Sequence, residues 1–545
     1  MSTAARSLAR SLPRHLARRA APLRVSAPRP APLVPAHTTS IRHGGTLPDR
    51  SSAFTKPTED HLKAIRGFLS SPTSLLSTID GSASPDDLAV YNDDWMNKYH
   101  GKGPIVVKPK TTEELSKVMK YCYDNDLAVV PQGGNTGLVG GSNPVHDEII
   151  LSTSNLNQIR SFDPVSGVLV ADAGVILETA DHYLAEQGFI FPLDLGAKGS
   201  CQIGGNVATN AGGLRLLRWG SLHGSVLGLE AVLPDGTIWN GLSTLRKDNT
   251  GFDLKQLFIG SEGTIGIITA ISILCPRRPT AMNVAVFSLP SYEAVQKVFS
   301  EAKGQLGEIL SAFEFWDKQS ASLNHQFSLV KHHMEEHLGG ERKVFETEGD
   351  FYCLIETAGS NAEHDEEKLS NLLEHLMSNE MVLDGVLAQD QTQFASLWSF
   401  RELLPEASGK AGSVYKYDLS VPVGKMYSLV ERIRERLQQA GLLEGDGKKE
   451  GPMRAVIGYG HMGDGNLHIN IVADKYKEEY EKVIEPYIYE IVAENNGSIS
   501  AEHGLGVMKA PYIGYSKNDT SVEMMRKIKQ IFDPKGLLNP YKYIV

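Results

Sequence analysis

The residues best suited to chemistry lie in two short stretches near the C-terminus. GYGHMGDGNLHINI, Gly458 to Ile471, places His461 and His468 seven residues apart around a Gly-Asp-Gly turn. On one straight strand that spacing would put the two rings on opposite faces, so only a turn between them allows joint ligation. The apolar run RAVIGYG leads into the turn and LHINIVA leads out as a second strand. On that strand His468 and Asn470 share one face, while Leu467, Ile469 and Ile471 point to the other. Two imidazoles leave a metal site incomplete. In SISAEHGLG, Glu502 and His503 end a strand-like run before a glycine turn, and the Glu502 carboxylate would complete a His-His-Glu set. Catalytic zinc sites have that composition and keep one position for substrate. Spacing alone leaves buried or turn-stabilising histidines as the alternative. HMEEH, His333 to His337, also fits an inverted zincin pattern. Its polar setting, KHHMEEHLGGER, with Gly339 and Gly340 ending any helix, reads instead as a solvated helix face. A zinc hydrolase built on either set is the alternative from another chemical class.

Two glycine-rich loops occupy much of the N-terminal half. Gly133, Gly134, Gly137, Gly140 and Gly141 in PQGGNTGLVGGS directly follow the strand-like LAVVP. Small residues there let backbone N–H groups surround an anion such as a pyrophosphate. DLGAKGSCQIGGNVATNAGG, residues 194–213, repeats the texture, and GSEGTIG follows. Neither a G-x-G-x-x-G opening a helix nor a G-x-x-x-x-G-K-[ST] occurs, which weakens nicotinamide-dehydrogenase and P-loop readings. A nucleotide cofactor held in another way is expected.

The elements that must position these groups follow from pattern. IVVKP, LAVVP, EIIL and VLVADAGV read as strands; TTEELSKVMKYCYDND, with capping-box spacing at Thr111 and Glu114, and ILETADHYLAEQG read as helices. LEAVLPDGTIW predicts a hairpin, and FIGSEGTIGIITAISIL predicts a strand pair. CPRRPT marks a boundary, after which amphipathic helices alternate with strands such as FYCLIET. The expected class is α+β: a nucleotide-cofactor-binding region at 100–280, a substrate or cap domain at 281–500 carrying the candidate metal site, and a helical C-terminal segment at 501–545. The first 45 residues contain eight arginines, no lysine and no acid, as mitochondrial transit peptides do. Without them the formal charge falls from −11 to about −19, which argues against nucleic acid as the main partner. No apolar run of about 18 residues predicts a membrane span. The four scattered cysteines read as structural thiols.

Taken together, PQGGNTGLVGGS, DLGAKGSCQIGGNVATNAGG, GSEGTIG, VYKYDLS, GYGHMGDGNLHINI, SAEHGLG and DPKGLLNPYK resemble the FAD-linked oxidases with a vanillyl-alcohol-oxidase-type flavin domain. The similarity runs from about Ala53 to the C-terminus and is strongest to the branch acting on D-2-hydroxy acids. It implies a two-subdomain flavin-binding fold and FAD held by Gln132, Gly133, Gly134, Asn135, Thr136 and Gly137. Further cofactor contacts would come from Pro192, Leu195, Gly199, Ser200, Gly204, Gly205, Asn206, Asn210, Glu262, Ile267 and Asn539. Members that bind flavin covalently carry a histidine in the first loop; Asn135 and Thr136 stand there in this chain, so non-covalent FAD is expected. The resemblance further implies a divalent metal, zinc foremost, on His461, His468 and Glu502, with His503 as the base. Arg401, Lys416 and Asn470 would contact substrate together with His503. The implied reaction is oxidation of D-2-hydroxyglutarate to 2-oxoglutarate, with D-lactate oxidation or hydroxyglutarate–pyruvate transhydrogenation as alternatives. Electron-transferring flavoprotein, cytochrome c or pyruvate are the candidate acceptors, the mitochondrial matrix the expected location, and a homodimer the candidate assembly. Pro405 stands where the animal-type hydroxyglutarate enzymes carry a substrate-contacting threonine and offers neither hydroxyl nor N–H, which leaves the choice of diacid over lactate open.

Overall fold

Three sheets divide the chain, and the computed structural model describes residues 48–326, 344–443 and 451–544. The arginine-rich first 45 residues and HMEEH lie outside the described residues. The first sheet has order β1-β2-β4-β3, from β1 (Leu75–Ser77), β2 (Ile105–Val107), β3 (Val129–Gln132) and β4 (Ile149–Ser152). β2, β4 and β3 run parallel, and their Ile and Val residues are buried on both faces, as parallel strands require. The second sheet is antiparallel, order β5-β6-β9-β7-β8, from β5 (Ile159–Asp163), β6 (Val168–Asp172), β7 (Val226–Val232), β8 (Ile238–Gly241) and β9 (Ile267–Leu274).

Local readings in these two sheets hold with two corrections. Thr111 caps the helix Thr112–Asp124, but Glu114 does not close the box: its carboxylate accepts from the N–H groups of Lys110 (2.7 Å) and Ser70 (2.9 Å). The strand pair expected in FIGSEGTIGIITAISIL is one strand, β9. Glu262 and Gly263 adopt φ of 51° and 69°, turning the chain before it. A helix at Glu59–Arg66, another at Pro85–Asn92 and the three-residue β1 precede the region in which elements were expected.

The third sheet is antiparallel, order β13-β10-β12-β11-β15-β16-β14. Its strands are β10 (Ala281–Leu289), β11 (Leu310–Asp317), β12 (Phe351–Gly359), β13 (Asp384–Leu387), β14 (Ser413–Ser420), β15 (Met453–His461) and β16 (Asn466–Ala473). Alternation makes its two faces different. One buries Phe287, Phe313, Phe315, Ile355, Leu467 and Ile469 under the helices Tyr292–Leu306, Ala362–Ser378 and Met426–Gln439. The other carries Glu314, Tyr459, His461, His468, Asn470, Lys416 and Asp418, flanked by Trp316, Leu397 and Leu404. The chain then leaves this sheet and returns to the first, where Leu538 bridges to Val129 in parallel. All four cysteines are buried and unpaired.

β14 is anchored on its apolar face by Tyr417, whose hydroxyl donates to Glu485 at 3.0 Å. Burial, with Glu481 beside it, raises the Glu485 carboxyl to about 7. Its folded pKa lies above the unfolded value of about 4.3, so the folded chain holds the extra proton between the two and this group's contribution to stability falls as pH rises through that window. Glu485→Gln is therefore expected to remove a downward slope in Tm between about pH 5 and about pH 7. Parallel Tm profiles for the two proteins would contradict the assignment.

Candidate active site

The β15–β16 hairpin pairs His461 with Asn466 and Tyr459 with His468, so the two histidines sit two pairs apart, with Gly460 and Leu467 between, and share one face. Their Nε2 atoms approach to 3.3 Å, and His461 Nε2 lies 3.8 Å from Glu502 Oε1. Ligands on a tetrahedral ion at ~2.1 Å are about 3.4 Å apart; these two separations are close to that, and the ligand atoms of all three residues lie within 4.8 Å of one another. Glu502 Oε1 is buried and has no hydrogen-bond partner, the state of an atom shaped for a cation. Two imidazoles, one carboxylate and an open side therefore fit a four-coordinate divalent ion.

What brings Glu502 there is Asp418. This side chain is 1% exposed, and its Oδ2 accepts from three successive N–H groups, Ala501 (3.1 Å), Glu502 (2.9 Å) and His503 (3.1 Å). Its Oδ1 accepts from Asn466 Nδ2 at 2.7 Å. Asp418 faces His468 across β14–β16, and His503 Nδ1 lies 3.7 Å from its Oδ2. The expected strand-like run at SISAEHGLG is instead an irregular segment, touching β14 through the Ser498–Ser420 bridge, a backbone bond from Ala501 N–H to the Asp418 carbonyl oxygen at 3.4 Å and these side-chain bonds.

Arg401 is 7% exposed. Its Nε donates to Glu314 Oε2 at 2.9 Å and its guanidinium lies 4.7 Å from the Tyr459 ring centroid. Glu314 Oε1 meets His461 Nδ1 at 2.8 Å. Asn470 donates to Tyr459 Oη (3.0 Å) and Ser408 Oγ (3.2 Å), with Lys416 opposite it on β14.

The charges follow from this packing. Burial pushes His461 down, but the Glu314 carboxylate outweighs it and the pKa reaches about 9. Burial, with the charges of His461 and Arg401, holds His468 well below the usual histidine range. Burial lifts Glu502 to about 7 against the pull of His461. Burial alone would raise Asp418, yet the His503 and Lys509 charges and its N–H donors hold it far below the ordinary range. Burial also lowers His503 and Lys416. The titrations of His461, His468 and Glu502 are thus coupled through their closeness around one point.

A cavity of about 710 Å³ opens beside this cluster, walled by both glycine loops and reaching Pro405, Glu502 and His503. The loops pack too closely for side chains: a Cβ on Gly134 would lie 2.1 Å from the Ser200 carbonyl oxygen, and one on Gly212 would lie 2.9 Å from Glu502. Known proteins now bear on the assignment. The FAD linked oxidases, C-terminal domain, matches residues 278–543, and the FAD binding domain matches residues 104–241. A Schizosaccharomyces pombe protein named as a mitochondrial D-lactate dehydrogenase is 53% identical over 91% of this chain and 92% of its own. The Danio rerio mitochondrial D-2-hydroxyglutarate dehydrogenase is 52% identical over 90% and 86%. A Saccharomyces cerevisiae D-2-hydroxyglutarate–pyruvate transhydrogenase is 46% identical over 91% and 96%. The chain belongs to the FAD-linked oxidases. The fold, with its vanillyl-alcohol-oxidase-type flavin region, is also that of alkyldihydroxyacetonephosphate synthase, whose structure superposes with a TM-score of 0.67 at 16% identity, covering 89% of this chain and 87% of that one.

Thirteen of the seventeen residues expected at FAD line this glycine-walled cavity: Gln132, Gly133, Gly134, Asn135, Thr136, Gly137, Leu195, Ser200, Gly204, Gly205, Asn206, Glu262 and Ile267. Pro192, Gly199, Asn210 and Asn539 do not. Asn539 acts from behind, donating to the carbonyls of Gly141 (3.1 Å) and Glu262 (2.8 Å). Asn210 ends the helix Ile203–Thr209 at φ 49°. Asn135 spends its amide on the carbonyls of Val90 and Asp93, fixing the first loop. His461, His468, Arg401, Lys416 and Asn470 stand outside the cavity wall, joined to it through Glu502 and His503.

Sequence reasoning missed Trp95, Thr153 and Gln202 in the wall, and Glu314 and Asp418 behind the ligands. For the last two a signal existed: an acid inside an apolar strand, as in LSAFEFWD and VYKYDLS, must be paired. Asp418→Ala leaves the Glu502 and His503 N–H groups without their acceptor, and leaves Ala501 and Asn466 only the longer bonds to the carbonyls of residue 418 and Leu419. At about 1–3 kcal/mol per unsatisfied buried group, partly relieved by water, a loss of about 3 kcal/mol is expected. Hydrogen exchange at residues 501–503 should accelerate; unchanged exchange would show that other contacts hold this segment.

Proposed function

We propose that this FAD-dependent hydroxy-acid dehydrogenase oxidises D-2-hydroxyglutarate to 2-oxoglutarate with a divalent metal, zinc foremost, on His461, His468 and Glu502. The observation that carries the reading is the continuity of the glycine-walled cavity with Glu502 and His503, which supports a donor cluster beside the bound cofactor. When bound, FAD supplies a hydride acceptor and the cation supplies Lewis-acid polarisation of the substrate oxygens.

The chain's own residues do the rest. Arg401, its Nε already engaged, offers its terminal nitrogens to a carboxylate, which a planar guanidinium grips bidentately. Lys416 adds a second cation for the other carboxylate of a diacid. Asn470, both N–H groups donated, presents its carbonyl oxygen as an acceptor. His503 takes the hydroxyl proton, its backbone held by Asp418 and its ring on the cavity wall. FAD is non-covalent in this reading, because the first loop carries Asn135 and Thr136 and Asn135 is committed to the backbone. The arginine-rich first 45 residues and the relatives named mitochondrial support a mitochondrial location, the matrix in particular. Among the described residues no helix is long and apolar enough to cross a membrane.

A second reading has a specific observation behind it. Pro405 stands in the cavity wall without a donor, which reduces the polar contacts available to a longer acid and favours D-lactate. Pyruvate, as in the transhydrogenase relative's name, or electron-transferring flavoprotein or cytochrome c would reoxidise the flavin.

Anaerobic mixing should bleach the flavin faster with D-2-hydroxyglutarate than with D-lactate; the reverse order would transfer the assignment to lactate. His503→Ala is expected to slow that reduction about 10²–10⁴-fold with FAD and metal content unchanged. Reduction at the wild-type rate would remove His503 from the proton transfer.

A further inference from the structure

Glu314 is a buried acid that no step above employs. It lies in β11 between Phe313 and Phe315, 2% exposed, where an unpaired carboxylate would be costly. Its two oxygens serve different parts of the site: Oε1 meets His461 Nδ1 at 2.8 Å, and Oε2 accepts from Arg401 Nε at 2.9 Å. We propose that Glu314 is a positioning residue that fixes the ligating tautomer of His461 and the orientation of Arg401 together, coupling cation affinity to substrate-carboxylate affinity. The proposal rests on the reading of His461, His468 and Glu502 as a divalent-cation site.

The chemistry of each bond supports this. A carboxylate only accepts, so His461 must carry a hydrogen on Nδ1, which leaves Nε2 as the atom through which it would bind a cation. Nε2 is the atom that faces His468 Nε2 at 3.3 Å and Glu502 Oε1 at 3.8 Å. Carboxylate partners of this kind orient metal-binding histidines and raise their basicity. At Arg401 the bond consumes Nε and the Tyr459 face holds the guanidinium plane, leaving both terminal nitrogens for a substrate carboxylate. The two roles need two acceptor oxygens. A glutamine has one, and its amide N–H₂ would oppose a donor at whichever partner it faced.

Glu314→Gln and Glu314→Asp would be purified with FAD and compared with wild type and His461→Ala in two binding measurements. Zinc affinity is read by competition with a chromophoric chelator. The affinity of 2-oxoglutarate for the oxidised, zinc-saturated protein is read from the flavin absorbance. Glu314→Gln is expected to weaken zinc about 10–100-fold and 2-oxoglutarate at least about tenfold, about the worth of one charge-assisted hydrogen bond. Glu314→Asp, which keeps two acceptors on a shorter stem, should lie between wild type and Glu314→Gln in both. Wild-type affinities in either measurement for Glu314→Gln would overturn the proposal, and should that variant fail to fold, wild-type affinities in either for Glu314→Asp would do so. His461→Ala separates the two levels. If it still binds zinc tightly the metal reading itself fails, whereas loss of zinc there with retention in Glu314→Gln refutes only the role of Glu314.

Discussion

The site depends on one buried carboxylate receiving hydrogen bonds from a segment some eighty residues further along the chain. Asp418 belongs to the edge strand of the seven-stranded sheet, and its charge is excluded from water. Such a charge is tolerable only when its lone pairs are filled, and three consecutive backbone N–H groups at 501–503 together with Asn466 fill them. The same bonds that pay for burying Asp418 dictate where Glu502 and His503 stand. The irregular backbone there belongs to no sheet ladder, so such bonds define it.

The flavin half holds the next residues in an equivalent way. Glu262, at a left-handed turn in GSEGTIG, accepts from Leu505 and Gly506 at 2.7 and 2.8 Å. Segment 501–506 is therefore gripped by one acid from the cap sheet and by another from the cofactor region. That arrangement explains why the metal-type donors and the glycine-walled cavity meet at Glu502, and why a side chain at Gly212 would strike it. The tail completes the frame: Lys542 donates to the carbonyls of Gly141 and Asn143 and to Asn539, binding the first glycine loop from behind. Reaction geometry thus rests on polar contacts between distant parts of the chain, while the apolar cores set only the sheets.

Much of this was legible because it is local. The alternation of LHINIVA and the Gly-Asp-Gly turn made the hairpin and the shared face of His468 and Asn470 readable, and glycine pairs after an apolar strand marked the cofactor loops. The pairing of His461 with His468 needed only the turn. What was hidden is long-range or negative. Nothing near Asp418 in sequence announces partners at 501–503, and Glu314 reads as one residue of an aromatic strand until His461 and Arg401 converge on it. The three-residue β1 carries too few residues for a period to emerge. GSEGTIG imitates a strand because its apolar flanks conceal the positive φ at Glu262 and Gly263.

The central claim is that His461, His468 and Glu502 form one cation site at the edge of the flavin cavity. Its most direct test is anomalous diffraction from crystals of the purified, flavin-bound, active protein, recorded on both sides of the zinc absorption edge. The account predicts a single strong anomalous peak bonded to His461 Nε2, His468 Nε2 and the Glu502 carboxylate. Active, flavin-bound crystals with no anomalous scatterer at that point, or with the metal held elsewhere, would contradict it.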